Sequence, residues 1–184
     1  MERIVLAHDR CPGDIVTMTA VVRDLALAHP GRFRISVQTP AAEVWRHNPY
    51  VAPREPKEPA RWVKLSYGDG IRRSGREAVH FLTAWHADLA KQTGIKVPLT
   101  LPKPDLHLSE AERAAPLVGG RYWVLLTGGK SDFTTKHWVY RRHQEVADAL
   151  RAFGIPLVQA GAADDGHHHP ALDGALNLVG RTSL

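Results

Sequence analysis

One cysteine, Cys11, stands among the 184 residues. A single thiol closes no intrachain disulfide and builds no cysteine-rich zinc site, which suits a reducing compartment. Long apolar runs are missing too: nothing approaches the roughly 20 residues that a membrane-spanning helix needs. The opening MERIVLAHDR offers only about four apolar residues in succession, against about 7 to 15 in the core of a secretory leader. It reads as a first strand, and the expected location is cytoplasmic, with peripheral attachment at the inner face of the membrane as a variant. Internal repeats and low-complexity tracts are also missing.

What is there is the composition of a globular protein, 43% hydrophobic and 23% charged, with a formal charge of +5 and a pI near 9.6. That charge fits a phosphorylated sugar, a nucleic acid or an anionic membrane surface, and selects none of them. Residues 3–7 (RIVLA) form a short strand, and the loop HDRCPGD follows. Met18, Val21, Val22 and Leu25 then recur at helical spacing. The helix is expected to stop near His29-Pro30-Gly31, and FRISVQT at 33–39 alternates as a second strand. Strand, helix, strand at this length is a βαβ unit on a parallel sheet.

Beyond a proline- and charge-rich stretch at 52–60, WVKLSY at 62–67 is expected as a strand and GDGIRRSG as a loop. A helix is expected from Arg76 to Gln92, with Val79, Leu82, Trp85 and Leu89 on one face and Gly94 ending it. Residues 96–118 hold four prolines and read as a linker, with a helix start at Ser109. A second βαβ then follows: RYWVLLT at 121–127, the loop GGKSDFTTKHW, a helix through Val139, His143, Val146 and Leu150, and IPLVQAG at 155–161. ALNLVG at 175–180 adds a further strand. The expected organisation is a Rossmann-like domain over 1–95, a crossing at 96–118 and a partial second domain over 119–184. Three short strands and one helix do not cover both faces of a parallel sheet, so the second domain is expected to be incomplete.

Chemistry is expected in the two strand-to-helix loops, because ligands bind at the carboxyl ends of strands in open α/β sheets. In CPGD at 11–14, Gly13 permits close backbone approach and Asp14 stands at the mouth of the sheet, or else serves as the helix cap. The loop TGGKSDFTTKHW at 127–138 has the glycines, hydroxyls and lysines that suit a diphosphate. Backbone N–H groups at Gly128 and Gly129 and the hydroxyls of Thr134 and Thr135 suit phosphate oxygens, and Lys136 suits the charge of a leaving diphosphate. A solvated lysine in a glycine-rich turn is the plainer reading. The spacing GxxxxGK[ST] is missing, so this is no Walker A loop.

These residues carry a resemblance. The stretch from CPGD through HPGRFRISVQT to NPYV is similar to the opening of glycosyltransferase family 9, the ADP-heptose:lipopolysaccharide heptosyltransferases. TTKHW, its helix and GIPLVQAG resemble that family's second-domain lysine loop, in the same order. The resemblance implies a GT-B fold, two Rossmann-like domains flanking the active site, and single displacement with inversion. It implies no obligatory metal and no cofactor beyond the donor, ADP-heptose. It further implies Asp14 as the general base on the acceptor hydroxyl, Lys136 on the donor phosphates, and an acceptor side near Gly13, Arg72 and Arg73. The acceptor would be a carbohydrate or a protein. The Cys11-Pro12 pair departs from the small polar residues usual before Gly-Asp. A later glycine-rich, histidine-containing donor loop of the family is not reached.

A non-catalytic binding or assembly module, a truncated or split transferase, is the alternative expectation, with a second chain or a further copy of this one completing it. Nucleic-acid binding has only net charge behind it and is not expected. His167, His168 and His169 invite a metal, but consecutive side chains point apart, and a solvated loop is expected there. Arg76, His80 and His86 lie near or within the helix beside Arg72 and Arg73. Trp85, Trp123 and Trp138 read as core or interface aromatics rather than sugar platforms.

Overall fold

The fold was described from a computed structural model, which describes residues 1–55, 57–130, 138–163 and 166–182. These divide into two compact units, Met1–Arg113 and Ala114–Leu184.

In the first unit, strands β1 (Glu2–Ala7), β2 (Phe33–Gln38) and β3 (Arg61–Lys64) form a sheet of order β2-β1-β3. Both pairings are parallel, running from Glu2↔Phe33 to Ala7↔Gln38 and from Ile4↔Arg61 to Ala7↔Lys64. Because side chains alternate along a strand, Ile4 and Leu6 share a face with Ile35, Val63 and Leu65. Helix α1 (Pro12–Ala28) lays Ile15, Met18, Val22 and Leu25 on that face, and helix α3 (Phe81–Thr93) adds Trp85 and Leu89. Each of these large side chains is buried, worth about 1.5–3 kcal/mol apiece against exposure. Proline at the first helical position costs α1 no hydrogen bond that the turn would have made. At the other end of α3, Gly94 takes the left-handed conformation (φ 76°) and its N–H bonds the Ala90 carbonyl.

Two expectations are corrected here. GDGIRRS is a helix, α2 (Gly68–Ser74), rather than a loop. Its charges pair at helical spacing, Arg72 with Asp69 and Arg73 with Glu77, which offsets the poor helix propensity of two glycines. The long helix begins at Phe81 rather than Arg76, because His80 caps it: its Nδ1 accepts the Leu82 N–H at 3.2 Å.

The stretch after α3 is tied to α1 by buried charge. Asp24, fully buried, accepts from Arg23 Nε at 2.9 Å, from His86 Nε2 at 2.8 Å and from the Thr100 hydroxyl. Arg23 donates onward to the carbonyls of Leu101 (3.0 Å) and Lys103 (3.1 Å), and the Asp105 N–H donates to Thr19 Oγ1 at 2.8 Å. Burial pushes the Asp24 carboxyl up, and the bonds from Arg23, Thr100 and His86 more than offset it, leaving it below its ordinary value. Helix α4 (Glu110–Ala114) opens with a reciprocal cap: Ser109 Oγ accepts the Glu112 N–H at 3.1 Å and Glu112 accepts the Ser109 N–H at 2.7 Å.

The second unit carries a parallel sheet of β4 (Trp123–Leu125), β6 (Leu157–Gln159) and β8 (Leu176–Asn177), in the order β4-β6-β8. A two-stranded antiparallel ribbon pairs β5 (Gly129–Lys130) with β7 (His167–His168). Helix α5 (Tyr140–Arg151) packs Ala147 and Leu150 on Leu125, Leu157 and Leu172, a much smaller core than the first. Val124, Val158 and Leu176 stand side by side in the register; Val158 is buried, whereas Val124 and Leu176 are each about half exposed.

Candidate functional site

In the first unit β1 is the central strand, with α1 leading to β2 on one side while the later chain returns as β3 on the other. The connections diverge at the carboxyl end of β1, where ligands bind in sheets of this kind. His8, Asp9 and the CPGD loop are there.

Asp14 is not the cap of α1. Cys11 holds that position without a side-chain cap bond, and Asp14 is the third helical residue, half-buried. Its turn is fixed from α3: Trp85 Nε1–H donates to Thr17 Oγ1 at 2.9 Å, and the Thr17 hydroxyl donates to the Asp14 carbonyl at 2.7 Å. The Asp14 carboxylate faces the Tyr67 hydroxyl. Burial first, and then the hydrogen bond and negative charge of Asp14, push the Tyr67 phenol up to about 12. Tyr67 stands edge-on to Trp85 (4.7 Å between centroids) and to Phe81 (5.1 Å). His8 meets Trp85 at 4.7 Å, and its Nδ1 donates to the Leu65 carbonyl at 2.9 Å. The other ring nitrogen, Nε2, is buried without a partner among the described residues.

A hollow of about 440 Å³ opens at the same end of the sheet, lined by Ala7, His8, Asp9, Gln38, Thr39, Pro40 and Lys64. Lys64 Nζ lies 2.7 Å from Asp9 Oδ2 there and holds that carboxyl below its ordinary value, through the hydrogen bond and then its charge. Asp14 is outside its walls. A second hollow, of about 460 Å³, lies between α2 and α3 and is edged by Asp69, Arg73, Asp88 and Lys91. Gly13 is exposed, with open space where a Cβ would stand. Arg72 and Arg73 are exposed on α2, each already paired with a carboxylate. His80 is a helix cap and His86 a partner of buried Asp24, so both have structural work.

In the second unit Gly128 and Gly129 follow β4, Gly129 within the ribbon. Lys136, Thr134 and Thr135 lie outside the described residues. The histidine run is not the solvated loop expected: His167 and His168 form β7, and His169 packs against two glycines. Trp85 is core, while Trp123 and Trp138 are 41% and 50% exposed. Sequence reasoning passed over Tyr67 and Gln159 and set His169 aside with its run; of the first two only Gln159 left a signal, a polar residue ending the apolar run IPLV.

No protein-family model matches the sequence, and no curated protein does. Solved structures do. A glycosyl transferase family 9 protein from Veillonella parvula DSM 2008 aligns over 98% of this chain and 70% of its own, at 13% identity and a TM-score of 0.65. TibC, a bacterial iron-containing dodecameric glycosyltransferase from enterotoxigenic E. coli H10407, aligns over 98% of this chain and 49% of its own, at 18% identity and a TM-score of 0.61. E. coli ADP-heptose lps heptosyltransferase II aligns over 99% and 73%, at 16% identity and 0.58. A further TibC structure holds ADP-D-beta-D-heptose. The chain therefore has the α/β fold, with parallel sheets, of family 9 glycosyltransferase structures. Heptosyltransferases are among these structural neighbours, and the chain spans about half the length of TibC.

Proposed function

We propose that this chain is the acceptor-side domain and part of the donor-side domain of an inverting glycosyltransferase. The sugar moved is heptose-like, the donor a nucleotide diphosphate sugar, ADP-heptose, and the acceptor a carbohydrate or a protein. The observation that carries this reading is the position of Asp14, a half-buried carboxylate at the carboxyl end of the central strand, on a turn fixed by Thr17 and Trp85.

In this reading Asp14 takes the proton of the acceptor hydroxyl as that oxygen attacks the anomeric carbon, and the nucleoside diphosphate departs from the opposite face. Lys136, the hydroxyls of Thr134 and Thr135 and the backbone N–H groups at Gly128 and Gly129 take up the charge that develops on the leaving diphosphate. Gly13 leaves room for the acceptor. Arg72 and Arg73 would exchange their present carboxylate partners for an anionic acceptor group. No metal or cofactor enters this scheme, and the work is done in a cytoplasmic setting or at the inner face of the membrane.

Two measurements test it. Calorimetry with ADP should give saturable binding that is lost in Lys136→Ala and kept in Asp14→Ala; no binding to any nucleotide would sink the donor site. In a transfer assay Asp14→Asn should abolish turnover, and undiminished turnover would remove Asp14 from the mechanism. Val124 and Leu176, each half exposed on the sheet of the second unit, favour the second reading, a split transferase that binds without turning over until another chain completes it. In that case ADP binds and transfer appears only on adding the completing chain.

A further inference from the structure

Strands β4 and β6 end side by side, with Leu125 opposite Gln159. The chain leaves each through a glycine, Gly128 and Gly161, and the imidazole of His169 lies against both. A Cβ built on Gly128 would fall 2.0 Å from His169 Cε1, and one on Gly161 would fall 2.1 Å from the same atom. Only glycine at both positions leaves the notch that the ring occupies.

The turn that carries His169 is fastened from two directions. On one side β7 pairs with β5, His168 opposite Gly129. On the other, fully buried Gln159 donates from Nε2 to Thr127 Oγ1 (2.7 Å) and to the Pro170 carbonyl (2.7 Å), and its Oε1 accepts the Leu172 N–H (3.0 Å). Two of these three bonds hold residues 170–172 at the strand ends, and the third ties the same amide to Thr127 after β4; this is the ligand-binding edge of an open parallel sheet. An apolar side chain would fill the notch at no polar cost, whereas an imidazole beside two backbones brings N–H and lone-pair groups to that edge.

The rings of His167 and His169 are stacked, 6.3 Å apart and 21° from parallel, so they do not converge on one cation. No group of three metal-ligating side chains occurs among the described residues. The neighbouring Gly128 lies just outside the ribbon that holds Gly129, and the backbone N–H groups of a glycine turn are the usual cradle of a phosphate. We infer that His169 is a donor-binding residue that contacts the diphosphate of a nucleoside diphosphate seated on the Gly128–Gly129 backbone, with Gln159 as its positioning residue. This assignment rests on the donor-site reading proposed above.

The test is calorimetry of the 184-residue protein with ADP, comparing the unsubstituted chain with His169→Ala, His169→Gln and, as a control on the exposed neighbour, His168→Ala. His169→Ala should weaken ADP about tenfold, His169→Gln should weaken it less because an N–H donor remains, and His168→Ala should leave it unchanged. An imidazole resonance missing from His169→Gln should shift in the unsubstituted protein when ADP is added, a readout that needs no variant to bind. If the unsubstituted protein binds ADP with no such shift, or both His169 variants bind it equally well, this inference is overturned while the donor-site reading stands. Should the unsubstituted protein bind no ADP, the donor-site reading falls and this assignment falls with it.

Discussion

His86 Nε2 lies 2.8 Å from Asp24 Oδ2 in the core of the first unit, and both residues are more than nine-tenths buried. The His86 Nδ1 faces the Leu82 carbonyl at 2.7 Å, so both ring nitrogens meet acceptors. With Arg23 and Thr100 on the same carboxylate, Asp24 joins α1, α3 and the stretch at 100–105 in one network.

Removing that carboxylate should be costly. Asp24→Ala leaves Arg23 and His86 without their acceptor in a desolvated site, and breaking a buried pair in this way costs about 3–5 kcal/mol. Urea unfolding should report that loss in the transition of the first unit; a change under about 1 kcal/mol, a surface-pair value, would mean the network is solvated.

Acid should act through the same group. The Asp24 carboxyl is lowered in the fold from an unfolded value of 3.8, so its contribution is complete above that value and is lost as pH falls below it, through the folded value. The prediction is a decline in stability below pH 3.8 that is smaller in Asp24→Asn, measured by urea midpoints over the acid range.

Tyr67 provides a spectroscopic handle on Asp14. One of the four tyrosines should ionise near 12 in an ultraviolet difference titration, and Asp14→Asn should bring that midpoint down, though not to the ordinary 10.0, because burial still raises it. An unchanged midpoint would separate the two side chains.

Gly94 isolates a purely conformational effect. Nothing lies within 4 Å of where its Cβ would stand, so Gly94→Ala meets no clash and pays only for the left-handed backbone at φ 76°. A loss of about 1–2 kcal/mol is expected by denaturant unfolding.

In the second unit, Gln159→Leu removes three hydrogen bonds and leaves the Leu172 N–H without its acceptor. A cost of about 1–3 kcal/mol should follow, with the Leu172 amide exchanging faster with solvent while amides in α5 change less. Equal protection at Leu172 would show that Gln159 does not hold that turn.

Much of the fold was legible as pattern. Met18, Val22 and Leu25 carried the period of α1, and FRISVQT carried the alternation of β2, because both segments bury one face against a single core. Helix α2 was not legible: its two glycines read as a loop, and the pairing of Arg72 with Asp69 and Arg73 with Glu77 depends on side-chain reach rather than on apolar spacing. His80 was masked in the same way, since a histidine cap looks like any other helix residue until the Leu82 N–H is seen to meet it. Of the candidate site, Asp14 and Gly128 were marked by the strand-to-helix position of their loops. Tyr67 was not, because the 53 positions that separate it from Asp14 in the chain close only when β3 pairs with β1.

By itself, then, the sequence determined two βαβ patterns, the strand ends from which chemistry would be expected, and a resemblance to family 9 transferases. Local periodicity and loop composition are properties of neighbouring residues, so they survive in one dimension. Tertiary structure decided which buried charges are paired, that Asp14 faces a phenol rather than capping its helix, and that His169 lies between two glycines rather than in solvent. Each of these depends on contacts between residues far apart in the chain, and on the burial that gives a hydrogen bond or a missing Cβ its energetic weight.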